Sequence, residues 1–156
     1  MTDIIKSEAL ALRDNAAIRE ILEEVCRVTQ MGFAAVARVT EDRWIVCQVL
    51  DKIDFGLNPG DELEIKTTIC NEIREHGQRV VIDHVDQDIE WQTHPTPMLY
   101  GFKSYASLPI LRPDGTFFGT LCAIDPKSRS INGGDTLAAL EKCAERVEAI
   151  LAGKDV

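Results

Sequence analysis

The sequence predicts an α+β domain built on an antiparallel sheet. Short apolar runs of strand length stand between a helical segment at each end. The tight connections Thr40-Glu41-Asp42-Arg43 and Arg112-Pro113-Asp114-Gly115 read as hairpin turns, which make neighbouring strands antiparallel. The element order is α-β-β-α-β-loop-β-β-α, with few crossovers. At 156 residues and 45% apolar, the chain suits one domain with a sizeable core.

Residues 3–31 read as one long helix, because Ile18, Ile21, Leu22, Val25 and Val28 recur at helical spacing opposite a charged face. Gly32 is the expected C-cap. Residues 33–39 and 44–50 are two apolar strands. Residues 51–64 hold Gly56 and Asn58-Pro59-Gly60 and read as a loop. A short helix follows from Thr67 or Thr68 to His76, with Ile69, Cys70 and Ile73 buried and Gly77 as its stop. Residues 79–83 form a third strand. The stretch 84–103 carries too many breakers for a long element and is expected to be functional or mobile.

Residues 104–111 and 116–124 are the last strands. The second is apolar on both faces, so both faces must be covered. Alternation puts Phe117, Gly119, Leu121 and Ala123 on one face and Phe118, Cys122 and Ile124 on the other. Tyr105 and Ser107 share a face, opposite Ala106, Leu108 and Ile110. Pro109 lacks an N–H, so a bulge or broken ladder is expected there. A C-terminal helix spans 133–152 with Asp135 as N-cap. Leu137, Leu140, Ala144, Val147 and Leu151 follow a 3-4 spacing along it.

Seventeen basic against 26 acidic side chains give a formal charge of −9. Phosphate-rich partners need a basic face, so nucleic acid and an anionic membrane are not expected as main partners. No apolar run reaches the roughly 18–20 residues of a membrane helix, and no signal peptide is visible. The five cysteines, Cys26, Cys47, Cys70, Cys122 and Cys143, are odd in number and lack a CxxC pair. That pattern fits a reduced, cytoplasmic protein rather than a disulfide or zinc scaffold.

Thr68-Ile69-Cys70-Asn71-Glu72-Ile73, Gly77, Val80-Val81-Ile82-Asp83, Tyr100-Gly101-Phe102-Lys103-Ser104-Tyr105, Leu108-Pro109-Ile110 and the run Asp114 to Asp125 together closely resemble a GAF domain. The subtype looks like those preceding bacterial sensor histidine kinases and related signalling outputs. The resemblance spans about residues 10–151, so the whole chain, 1–156, reads as a single GAF domain. It implies a PAS-related sheet of five or six antiparallel strands. The N- and C-terminal helices cover one face, and a pocket on the other is closed by the short helix and segment 84–103.

Cys70, Asp83, His84, Trp91, His94, Tyr100, Phe102, Tyr105, Ser107 and Cys122 are the residues expected at that pocket. Cys70 near a helix N-terminus has the setting of an activated thiolate, or of a small core residue. His84, Asp86, Asp88 and His94 have metal-ligand chemistry but no specific spacing. The family also includes free methionine sulfoxide reductases, which use a cysteine at the start of the short helix and others in the following segment. Cys70 matches the first, and segment 84–103 holds none. Bilin-binding members attach chromophore through a Cys-His pair, which is missing here, and Asp51-Lys52-Ile53-Asp54-Phe55 is a poor match to the cyclic-nucleotide signature.

The leading expectation is a non-catalytic sensory module. It would bind an unidentified small molecule and relay the signal through its terminal helices, as a homodimer and toward an output domain such as a histidine kinase. The alternatives are a dimerisation module with an empty pocket, and a redox enzyme of the sulfoxide reductase kind using Cys70. The acids of residues 83–90 would face the pocket mouth, where Arg79 or Lys103 could offset them.

Overall fold

The structure, a computed structural model, describes residues 3–63, 73–74, 77–87, 101–131 and 133–153. Among them, six antiparallel strands form one sheet: β1 (Phe33–Val39), β2 (Trp44–Asp51), β3 (Glu62–Leu63), β4 (Val80–Ile82), β5 (Ser104–Leu111) and β6 (Phe117–Asp125). Their spatial order is β3-β2-β1-β6-β5-β4. Two hairpins, β1-β2 and β5-β6, meet along the β1-β6 ladder at the centre. The loop expected over 51–64 therefore contains an edge strand, β3, which pairs with Trp44 and Ile45.

Helices α1 (Ile4–Leu10), α2 (Ala16–Thr29) and α3 (Gly134–Leu151) lie on one face. Ile18, Ile21, Leu22 and Val25 of α2 and Leu140 and Val147 of α3 are almost fully buried there, against Val36, Leu108 and Leu121 of the sheet. Each such side chain contributes about 1.5–3 kcal/mol of burial. The two apolar seams read from the sequence are thus spent largely within the chain, and Val28, Leu137 and Leu151 stay half-buried. None of the described helices is long and apolar enough to cross a membrane.

The single helix expected over 3–31 is two helices. The Asn15 side chain accepts from the Ile18 N–H at 2.9 Å and caps α2. The Gln48 amide of β2 donates to the Leu12 and Asn15 carbonyls at 2.9 and 3.1 Å and holds the break in place. The expected Gly32 cap is also corrected. Gln30 ends α2 in the left-handed region, φ 63°, with its N–H on the Cys26 carbonyl at 3.0 Å. Gly32 is needed for close approach instead, since a Cβ there would sit 2.3 Å from Ile53 Cγ2. At the other end Gly133, not Asp135, is the N-cap of α3, and Asp135 lies in the first turn where a carboxylate complements the helix dipole.

Two bulges reset strand faces. The β5-β6 register shifts so that Ile110 faces Gly119 and Leu111 faces Phe117, leaving Phe118 unpaired on β5. Phe118 therefore packs under the helices with Leu121 and Ala123, and Phe117 joins Cys122 and Ile124, the reverse of simple alternation. The irregularity comes one residue after Pro109, which itself pairs with Thr120. In β2 the shift between Val36 and Ala37 makes Cys47 the extra residue.

Of the short helix, Ile73 and Arg74 are described and helical, and Ile73 is fully buried. Gly77, at φ 68°, donates its N–H to the Ile73 carbonyl at 2.7 Å, which is the stop expected of it.

Candidate functional site

The sheet face away from the helices carries a second buried layer. Register places its residues in rows. One row runs Val80–Ser107–Cys122–Ala35–Val49 and the next runs Ile82–Tyr105–Ile124–Phe33–Asp51. The floor of this face is made of small side chains. Ala35, Ala37, Ser107, Thr120 and Cys122 are all buried, and two of them bring hydroxyls. A floor of small residues leaves depth above it, and hydroxyls there can orient a ligand.

Phe102, Tyr105, Ser107 and Cys122 are brought to this one face. Tyr105 is 5% exposed and stacks on Phe102, with centroids 5.2 Å apart and planes 29° off parallel. Asp83 and His84 sit at its margin. The Asp83 carboxylate accepts from the Ile131 N–H at 2.9 Å, and its carbonyl from the Arg129 N–H at 3.0 Å, so it ties the segment after β6 to the end of β4. His84 Nδ1 accepts from the Asp86 N–H at 3.2 Å in the turn 85–87. Cys70, Trp91, His94 and Tyr100 lie outside the described residues.

The acids expected at the mouth are partly neutralised. Lys103 Nζ pairs with Asp86 at 2.8 Å, and that hydrogen bond holds the Asp86 carboxyl below its ordinary value. Arg79 does not serve there, because its guanidinium reaches Glu141 of α3 at 3.1 Å.

Beside the floor opens a cavity of about 510 Å³, lined by Phe55, Leu57, Leu63, Phe102 and Ile124. Its outer wall is built by Asp51. Burial works to raise this carboxyl, but N–H groups of Gly56, Phe55 and Ile53, donating at 2.8, 3.0 and 3.1 Å, outweigh that and hold it low. The turn so fixed sets the Phe55 ring 5.1 Å from that of Phe33. Trp44 belongs to the same buried layer at 3% exposure, and its indole Nε1–H has no hydrogen-bond partner among the described residues. Trp44 was not singled out from the sequence, and Asp51 and Phe55 stood there only in a run that matches the cyclic-nucleotide signature poorly. Gly56 and Asn58-Pro59-Gly60 were the signals that marked the loop.

The thiols away from this face are held protonated by burial. Burial pushes Cys47 up to about 12 and also raises Cys26 and Cys143.

A family model for the GAF domain matches residues 15–151. The chain belongs to the GAF family. Solved structures agree on the fold. The chromophore-binding domain of Stigmatella aurantiaca bacteriophytochrome superposes with a TM-score of 0.69 at 14% identity, covering 96% of this chain and 58% of that one. This GAF domain therefore spans little more than half of that photoreceptor fragment. The GAF domain of an Acinetobacter phosphoenolpyruvate-protein phosphotransferase gives 0.65 at 9% identity, covering 98% and 96%. The type II free methionine-R-sulfoxide reductase of Thermoplasma acidophilum gives 0.64 at 11%, covering 97% and 98%. No curated protein matches in sequence. The GAF fold expected from the resemblance, an α+β sheet of five or six antiparallel strands with its terminal helices on one face, is observed with six strands.

Proposed function

We propose that this GAF domain is a non-catalytic sensory module that holds a small molecule on the sheet face opposite its helices. The observation that carries the reading is the covered floor of small residues beside an apolar cavity of about 510 Å³. The Trp44 indole N–H in the same layer, without a partner among the described residues, adds a donor for a ligand acceptor. Phe102 and Tyr105 supply flat apolar surface, and Ser107 and Cys122 line the floor between them and Ala35. The reductase likeness supports the fold alone, and segment 84–103 lacks the cysteines that chemistry uses.

Signal would leave through α2 and α3, which pack on each other. A ligand preferring one closure of the distal face shifts the population of helix arrangements. The half-buried Val28, Leu137 and Leu151 offer a strip for a second copy, and an output domain such as a histidine kinase would read the change. The setting we propose is cytoplasmic.

Native mass spectrometry after incubation with a metabolite extract tests the reading. A stoichiometric, non-covalent adduct of defined mass is expected, together with its loss in Cys122→Phe, which fills the floor. A wild-type chain that stays free of any adduct removes the sensory role.

A further inference from the structure

Across Ile53 and Pro126 from the first cavity lies a second concavity, of about 790 Å³, between the last turns of α2 and the segments that follow β2 and β6. Arg19, Arg27, Lys52, Lys127 and Arg129 line it against two acids, Glu23 and Asp125. In a chain with 17 basic and 26 acidic residues, that ratio inverts the overall balance. The carbonyl end of α2 would by itself favour a single nearby cation, not five.

The local acids are already engaged. Asp125 is 3% exposed and accepts from the Gly32 N–H at 2.8 Å and the Lys127 N–H at 2.9 Å, with Arg129 Nη2 at 3.5 Å. Glu23 faces Arg19 at 3.5 Å, and Arg27 is paired with Glu24 outside the concavity. What remains uncommitted is cationic. The Lys52 and Lys127 ammonium groups have no ion pair among the described residues, and Arg129 Nε is buried with no hydrogen-bond partner there. Backbone contacts hold the two lysines around one point. Lys52 donates its N–H to the Gly32 carbonyl at 2.7 Å, while the Gly32 N–H and the Lys127 N–H share the Asp125 carboxylate.

Two point charges and the Arg129 guanidinium around one concavity suit phosphate oxygens. The volume falls within the range of small-ligand sites. We propose that this cavity binds a small phosphate-bearing molecule. It borders the first cavity at Ile53 and Pro126 and also touches α2, so an occupant would bias the same helix pair from beside the first site.

The test is a ¹⁵N-resolved NMR titration of the full chain with inorganic pyrophosphate at low ionic strength. Saturable shifts are expected at the Arg129 Nε–H and at the Gly32, Lys52 and Lys127 amides, with Trp44 and Ser107, which line neither cavity, unmoved. Lys52→Ala combined with Lys127→Ala should weaken binding roughly tenfold or more, by removal of two charges, while the rest of the spectrum is unchanged. Shifts that do not saturate, that spread equally over Arg13, Arg43 and Arg112, or that persist in the double variant overturn the site. Comparing inorganic phosphate with glucose 6-phosphate separates the sources. Tighter binding of the ester supports a phosphorylated metabolite, and equal binding supports free phosphate.

Discussion

Helix α1 precedes the residues that match the family, and charge fastens it to the sheet. Glu8 is the fastening point. Its carboxylate meets Arg112 and, at 3.4 Å, Arg38. Both guanidiniums lie 5.1 Å from the centre of the Phe118 ring. The Glu8 and Arg38 side chains are only 29% and 11% exposed, so the pair is screened less than a surface pair. In Glu8→Gln the charge goes and the shape stays. Arg38 keeps the Phe118 and Val39 carbonyls, at 2.7 and 3.0 Å, so it is not left bare.

The loss should therefore fall between that of an exposed pair and that of a buried one, about 1–2 kcal/mol. That corresponds to an opening of α1 roughly 5–30 times more frequent. Amide hydrogen exchange reads it directly. Protection over residues 4–10 should fall by that factor, while β1, β6 and α3 exchange as before. If α1 protection is unchanged, or falls only together with the whole sheet, α1 is not an independently held element and the reasoning fails.

Acid should act in the same way. Burial works to raise Glu8, but Arg112 and Arg38 outweigh it and hold the carboxyl below its ordinary 4.5. Its contribution is present above 4.5 and is lost as pH falls through the lowered value. Asp3, whose bonds to Arg43 and the Lys6 N–H hold it at about 2, follows between its ordinary 3.8 and about 2. Exchange at α1 should thus rise below pH 4.5 before the sheet opens.

Further outcomes follow from single contacts. Gly119→Ala would place a Cβ 1.8 Å from the Ala37 carbonyl oxygen in the central ladder, and should cost about 3 kcal/mol or more in urea unfolding. Asn15→Ala removes the α2 cap and should lower stability by about 1 kcal/mol, with exchange increased in the first turn of α2. Cys26, Cys47 and Cys143 should resist iodoacetamide at pH 8 in the folded chain and react only on unfolding, as mapped by mass spectrometry. Asp51→Ala frees the Ile53, Phe55 and Gly56 N–H groups, so exchange across residues 53–57 should rise while β1 is unaffected.

Strand identities were legible because hairpin turns and apolar runs are local signals, and the five runs reappear within a residue or two of their expected bounds. The break in the first helix was not legible. Ile5 and Leu12 extend the apolar pattern of α2, and the contact that stops it comes from Gln48, far along the chain. The faces of Phe117 and Phe118 were likewise hidden, since nothing in Phe117-Phe118-Gly119 says which residue will be left unpaired. Tyr105, Ser107 and Cys122 fell on the expected face because the alternation around them is unbroken. Trp44 and the Asp51 turn became visible only when folding set Phe55 and Leu63 around one cavity.

The central β1-β6 ladder has a consequence for how the molecule is made. Phe33 pairs with Ile124, so the middle of the sheet joins residues from distant parts of the chain. Each hairpin can form early on its own, but each then presents an unpaired apolar edge until the other arrives. Folding should wait on that one long-range encounter, and it should be slow by the standards of helical domains of similar size. During synthesis the β1-β2 hairpin must wait with its inner edge open, at risk of pairing with another copy, until Asp125 has left the ribosome.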